Sequence, residues 1–482
     1  MLNSSTACFW LKQVSQSKGN GGIGGGISDE LWEHRYEFTG TKLALFPLPG
    51  RLPLELGRAL DALARERSGL EPAAVCADGI PTRERLGAAR ERQERVWRRM
   101  VTAQEELDWQ VYGSYRLVTD AELDGLVAAD YSAPEVALGE RAFEIVLARK
   151  VVAGEVETAW FDRHGSTPVT EIPERWPERY RRIVQARIDV IGKRRDLALI
   201  ERPECKRRWA TEPWEKRERA ALRGWLLDRC ERPDLWYALR DGYRQPRALT
   251  VNQLADQFRT DQDMIAVARL YAADHLGNRD LTLAQVLDAV VADQHVPYLA
   301  ALRYTDSGLR KRAEWERVWE LQREEDRIGA GLDIPVPTRY VTADFRKGSF
   351  WSQRGKLDVP KERFVSFPGA APDADPTLLL GWAGWDHADR AQVLLTLVND
   401  RTSDAGWGTD RIVPLLAGLR ELMPWLWQWH GSYDADWGGN PAEEYDAYLA
   451  EQRETHHLTV DDLDAWRPEP TQRRGRAKGG ER

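Results

Sequence analysis

The chain has only four cysteines, Cys8, Cys76, Cys205 and Cys230, in 482 residues. They are widely spaced and form no Cys-x-x-Cys pair, which argues against a zinc knuckle or a disulfide framework and leads us to expect reduced thiols in a cytoplasmic setting. Long apolar runs are also missing. Met1 to Val14 lacks a basic lead, and no later window approaches a membrane span, so neither a signal peptide nor a membrane partner is expected. Net positive charge is absent too. At −8, the chain has no general excess of Lys and Arg with which to track phosphate, although a local DNA face stays open.

What is present is 42% hydrophobic and 30% charged residues, the mark of a helix-leaning chain with a heavily solvated surface. Its length suits roughly two to four domains. The 21 Trp are unusual, and the plain expectation is that most are core anchors. From Arg83 to Val118, Leu86, Ala89, Val96, Trp97, Met100, Val101, Gln104, Leu107 and Val111 recur at three- and four-residue steps, which predicts a long helix. Arg90, Arg92, Arg95, Arg98 and Arg99 interleave with Glu91 and Glu94 beside that stripe, the pattern of a salt-bridged solvent face. Helices are also expected at Ser28 to Tyr36, at Leu54 to Arg67 and after Pro177, and the pattern is helical throughout from Thr250 to Glu325. Within that stretch a break at Thr260-Asp261 outlines a helix-turn-helix. Its second helix carries Asp261, Asp263 and only Arg269, so a small helical bundle fits better.

Candidate chemistry is sparse. Gly19, Gly21 and Gly24 satisfy Gly-x-Gly-x-x-Gly, but no buried strand precedes them, so a surface loop, or a loop beside DNA flanked by Lys12 and Lys18, is the better reading. Asp162 and His164 lack an adjacent third partner for acid/base or metal work. Lys206, Arg207 and Arg208 with Trp209 and Trp214 combine the means for phosphate neutralisation and base stacking. Glu204-x-Lys206, with Asp189 or Asp196 upstream, mimics half of a metal-dependent nuclease signature, a pair that arises often by chance.

Three blocks carry a resemblance. They are Asn3-Ser4-Ser5-Thr6-Ala7-Cys8-Phe9-Trp10, then Lys206-Arg207-Arg208-Trp209-Ala210-Thr211-Glu212-Pro213-Trp214, then the closing Phe350-Trp351-Ser352-Gln353-Arg354-Gly355 with Leu380-Gly381-Trp382-Ala383-Gly384-Trp385-Asp386-His387. In this order they resemble the adenine-specific DNA methyltransferases (PglX) of type 2 BREX phage-growth-limitation systems, over nearly the whole chain. Glu105-Glu106-Leu107-Asp108-Trp109 and Phe38-Thr39-Gly40-Thr41-Lys42 are similar to stretches found more broadly in the C-terminal parts of type IIG restriction-modification enzymes. The resemblance implies methyl transfer from S-adenosylmethionine to adenine N6 within a multi-protein barrier to phage. Such chemistry needs a Gly-bearing cofactor loop and an Asn-Pro-Pro-Tyr-like motif that grips a flipped base. Neither is here: the sole Asn-Pro, Asn440-Pro441-Ala442-Glu443, lacks the stacking aromatic.

The chain is thus expected to be the C-terminal portion of such an enzyme, without the N-terminal methyltransferase core. A truncated gene, a misassigned start and a split enzyme fit alike. No catalytic, cofactor-binding or metal-ligating residue is expected, and S-adenosylmethionine belongs to the parent enzyme. The expected fold is mainly α with some β (α+β), a DNA-recognition remnant followed by a helical bundle and a Trp-rich C-terminal domain. Its parts are a DNA-recognition region at 1–165, an Arg/Trp-rich connector at 166–240, a bundle at 241–334, a Trp/Gly-rich domain at 338–470 and a disordered basic tail at 471–482. DNA contact is expected at Lys12, Lys18, Arg35 and Lys42 and at Lys206, Arg207 and Arg208. Expected partners are double-stranded DNA, a separately encoded methyltransferase core and other BREX/Pgl proteins. The alternatives are a protein-interaction scaffold without DNA binding, which the net negative charge favours, and a metal-dependent nuclease.

Overall fold

The computed structural model describes residues 1–19, 30–128, 133–240, 242–355, 359–403, 405–435 and 437–469. Most of the Gly-rich loop, the start of the helix expected at Ser28, Lys356 to Asp358 of the closing block and the tail from Thr471 lie outside the described residues. The chain is mainly helical with small sheets, as the sequence predicts. It divides into two compact units, Met1–Ala221 and Leu222–Arg482, and the division falls inside the connector expected at 166–240.

The first unit is organised by the helix Arg83–Ser114. Thr82 starts it by accepting from the Arg85 amide at 3.3 Å, satisfying one of the unpaired first-turn donors. At 32 residues it is about 48 Å long, and its second half is buried almost all round, from Met100 to Tyr112. Leu63 packs with Val96, Met100, Val101 and Trp209, which seats the helix Leu54–Gly69 against the long one. Trp109 and Tyr112 enter a larger cluster with Phe143, Ile145, Trp160, Tyr180, Val184 and Ile188, from the helices Ala142–Val152, Trp160–His164 and Glu178–Lys193. The helix expected at Ser28 to Tyr36 is not found in its described part. Leu31–Glu33 is one 3-10 turn, and Arg35–Glu37 is a strand paired antiparallel with Gln16–Gly19, its residues facing out, in, out.

The second unit is built on a four-stranded sheet in the order Leu249–Thr250, Leu379–Trp382, Phe364–Ser366, His295–Pro297. The last two strands run parallel and the other pairs antiparallel. His295–Pro297 corrects the reading of 250–325 as helical throughout. The sheet also takes strands from both stretches expected as separate domains, 241–334 and 338–470. The helices expected on either side of Thr260 are Val251–Gln257 and Gln262–His275, and Asp261 creates the break by accepting from the Met264 amide at 2.9 Å. Behind them follow Leu283–Val291, Asp306–Ile328, His387–Ser403, Thr409–His430 and Pro441–His456.

The closing Trp/Gly block is explained by reciprocal packing. A Cβ on Gly381 would overlap the Trp385 indole, and one on Gly384 would overlap the Trp382 indole, so each ring occupies the space that the other's neighbouring glycine leaves open. Trp385 is buried against Trp236, and Trp236 against Phe364.

Candidate nucleic-acid interface

The stretch following the helix Arg195–Ile200 carries the site. A short 3-10 turn, Pro203–Cys205, leaves Lys206 extended and pointing inward, then Arg207 and Arg208 outward, then Trp209 inward. Lys206 differs in role from its two neighbours. Its ammonium donates to Glu201 at 2.5 Å and Asp108 at 3.3 Å and lies 3.9 Å from Glu105, with 1% of its side chain exposed. Burial works against the charged lysine, but the three carboxylates outweigh it and hold its pKa above the ordinary value. Burial likewise pushes the Glu201 carboxyl up, to about 7 despite Lys206. The Tyr112 hydroxyl also donates to Glu201, and Ser5 donates to Asp108 at 2.5 Å.

Two further pairs complete this buried network. Arg187 donates twice to Glu106 at 2.8 Å, Tyr180 adds a third bond to Glu106 at 3.0 Å, and the Arg187 Nε–H reaches the Leu126 carbonyl at 2.7 Å. Arg141 grips Glu144 through two nitrogens at 2.8 and 2.9 Å, and the Trp160 indole N–H joins at 3.0 Å. The acids of Glu105-Glu106-Leu107-Asp108-Trp109 are therefore internal struts. Sequence reasoning missed this, although Trp109, off the stripe of Gln104, Leu107 and Val111, signalled that a second face of the helix is apolar and left the acids between them little room to face water.

The nuclease pieces do not gather. Glu204 lies 3.8 Å from Arg202, Lys206 is committed to Glu201, Asp196 accepts from Arg194 at 2.6 Å, and Asp189 accepts from Gln185 at 2.8 Å. Among the described residues no group of three or more His, Cys, Asp or Glu is placed to hold a metal ion. Asn440 caps the helix Pro441–His456, accepting from the Ala442 and Glu443 amides at 3.1 and 3.4 Å. Its side chain is thus committed to the helix start.

The outward cations are placed differently. Among the described residues, Arg207 and Arg208 have no carboxylate within ion-pair distance, and the Arg207 guanidinium stands 4.5 Å over the Trp209 ring. Lys12, on the helix Ser5–Val14, donates to the Glu204 carbonyl and lies 5.1 Å over Tyr36. That bond brings the two expected cation groups together. Arg35 and Lys18 share the hairpin. Arg35 is exposed without an ion-pair partner among the described residues, whereas Lys18 pairs with Glu37 at 2.9 Å. Lys42 is half-buried on the helix Gly40–Ala44.

The family model for a domain of unknown function, DUF7008, matches residues 100–478, most of the chain. The chain belongs to the DUF7008 family. Arg207, Arg208 and the buried network except Ser5 lie inside the DUF7008 match, while Lys12, Lys18, Arg35 and Lys42 precede it. This DUF7008 chain is 49% identical over 490 aligned residues to the adenine-specific methyltransferase PglX of Streptomyces coelicolor, an alignment covering 99% of the chain and 39% of that relative. It is a partial, C-terminal-like homologue of PglX. No solved structure matches it.

Proposed function

We propose that this chain is the DNA-recognition and complex-assembly part of an S-adenosylmethionine-dependent adenine-specific DNA methyltransferase of a BREX/Pgl phage-defence system. The observation that carries the reading is the pair Arg207–Arg208. In a chain of net charge −8, two adjacent guanidinium groups stand at the surface with no carboxylate within ion-pair distance among the described residues, held by buried anchors at Lys206 and Trp209. Uncompensated cations on a rigid mount suit phosphate, whose neutralisation releases counterions. Lys12, Arg35 and the surface around Glu204 extend that face, with Lys18 and Lys42 at its margin. Lys206 is left out of it.

The test is binding of the purified chain to a labelled duplex across a salt series. Arg207→Ala/Arg208→Ala is expected to weaken binding at every duplex sequence and to reduce the log–log salt slope by about 2. Absence of any binding at low salt removes the reading. A second reading, a docking scaffold for defence partners, is favoured by the exposed Trp427, Trp429, Tyr433 and Trp437, which fall within one short stretch. Retained assembly with the rest of the system by a chain that binds no DNA would select it.

A further inference from the structure

Two clefts in the first unit meet at Trp97. The larger, about 670 Å³, is lined by Trp97, Arg98, His164, Thr167, Arg175 and Trp209 among others, and the smaller, about 330 Å³, by Arg67, Arg90, Trp97, Arg98, Trp214 and Arg217 among others. Trp97, Arg98 and Thr211 line both, so the clefts adjoin. Trp97 is half-buried and stands edge-on to Trp209, ring centroids 6.3 Å apart.

The larger cleft offers a neutral acceptor. His164 Nδ1 lies 2.7 Å from the Trp160 carbonyl, an acceptor only, so Nδ1 carries the proton and Nε2 is left as the bare nitrogen. The ring is 8% exposed and burial lowers its pKa, which keeps it uncharged near neutrality. Nε2 has no protein partner among the described residues. Gly165, with φ 58°, turns the chain at this wall, and Gly139 admits the Thr167 carbonyl where a Cβ would overlap it. Both glycines therefore serve the closure of this wall.

The smaller cleft carries an excess of positive charge, with Arg67, Arg90, Arg98 and Arg217 lining it against Glu94 and Glu212. Arg217 and Arg67 share the Glu71 carboxylate, Arg67 at only 3.9 Å, and the Arg67 Nε–H is buried without a hydrogen-bond partner among the described residues. Arg207 stands near enough that the charge on Arg67 adds to burial in lowering its pKa. Burial likewise lowers that of Arg67, with Arg217 adding to the effect against the pull of Glu71. Guanidinium groups that outnumber the carboxylates around them are relieved by an anion.

Resting on the DNA-recognition reading, we propose that the paired clefts hold one unpaired nucleotide. Its base lies in the larger cleft against Trp97, with an amino group toward His164, and its phosphate lies toward the smaller cleft at Arg67 and Arg217, with Arg98, which lines both clefts, reaching it from their junction. A stacking indole beside a cationic groove is the general means of holding a single strand. The clefts have the volumes of small-ligand sites, which suit one unpaired nucleotide.

The test uses the full chain with three probes: dAMP, a single-stranded oligonucleotide carrying 5-iodocytosine, and a duplex of equal length. Arg98→Ala, at a half-exposed side chain, is expected to weaken single-strand binding about tenfold, by analogy with a lost charge-assisted contact, and duplex binding less than twofold. Irradiation is expected to cross-link the oligonucleotide to the peptide containing Trp97, a readout that needs no variant. Displacement of the oligonucleotide by dAMP at millimolar concentration assigns the site to free nucleotides, and failure of dAMP to compete assigns it to an unpaired residue within a strand. Cross-links confined to other peptides, or single-strand binding indifferent to Arg98→Ala, overturn the proposal. Duplex binding that persists and still depends on Arg207 and Arg208 would then leave the broader DNA reading standing.

Discussion

Replacing Lys206 with Met separates an internal strut from a DNA contact. Methionine preserves most of the side-chain volume and removes the charge. The ammonium is the nearest cation to Glu201, at 2.5 Å, and also faces Asp108 and Glu105. After its loss Asp108 keeps Ser5 and Glu105 keeps Arg187 at 3.9 Å, but among the described residues Glu201 retains only the Tyr112 hydroxyl. Breaking a buried ion pair from one side costs about 3–5 kcal/mol, which for a unit of this size lowers its melting temperature by roughly 6–20 °C. The pH dependence has a definite sign. The Glu201 carboxyl, already raised to about 7, rises further once the lysine is gone, so between its unfolded and folded values the folded chain binds the extra proton. Stability from such a group is present at low pH and lost as pH rises, so the deficit of Lys206→Met grows from pH 5.5 to pH 8. Thermal unfolding followed by circular dichroism at both pH values, with hydrogen exchange of the peptides around Glu105 and Glu201 to localise the loss, measures it. A deficit below about 1 kcal/mol at pH 8, or one that shrinks with rising pH, refutes the strut assignment. Adding Glu201→Gln is expected to recover part of the loss, whereas Arg207→Ala stays within about 0.5 kcal/mol of the parent.

Three further outcomes follow from the packing. Gly381→Ala forces a methyl into the Trp385 ring and is expected to destabilise the second unit by about 1–3 kcal/mol, read as a lower urea midpoint, with Gly384→Ala behaving alike against Trp382. His295 is buried beside Ser366, its Nδ1 2.9 Å from the hydroxyl, and burial, with Lys347 adding, lowers its pKa to about 4. Its stabilising effect is therefore present above about pH 6.5 and lost as pH falls, about 2 kcal/mol by pH 5, and His295→Asn is expected to remove that part of the acid slope in urea titrations. Burial pushes the thiols of Cys205 and Cys230 up to about 12 and that of Cys76 to about 11, so iodoacetamide at pH 7.5 is expected to leave all three unmodified until the chain is unfolded.

The long helix was legible because thirty-odd residues of 3.6-residue periodicity speak for themselves, and three of the five interleaved arginines did prove paired, Arg90 with Glu94 and Glu215, Arg92 with Glu66 and Arg98 with Glu135. The sheet was not legible. Its strands have two to four residues, too few for alternation to register, and their partners lie up to about 130 residues away in sequence, as Leu249 and Leu380 show. Lys206, Arg207 and Arg208 look equivalent in a string of letters. Only the fold distinguishes them, because the Lys206 partners Asp108 and Glu105 are about 100 residues distant. The Trp/Gly repeat at 381–385 was informative as a mark of relationship, and its physical content is a pair of rings over a pair of glycines.

The buried network also imposes an order in time. Asp108 accepts from Ser5, 103 residues before it, and from Lys206, 98 residues after it. A chain made at about 5–20 residues per second exposes Asp108 for roughly 5–20 s before its cation is synthesised. Throughout that interval the acids on the long helix must stay in water, because burying them unpaired is prohibitive. The second half of that helix thus remains an open, wet surface until Lys206 arrives. A chain released earlier has no means of closing its first core, which leaves it accessible to proteases instead of persisting as a folded fragment.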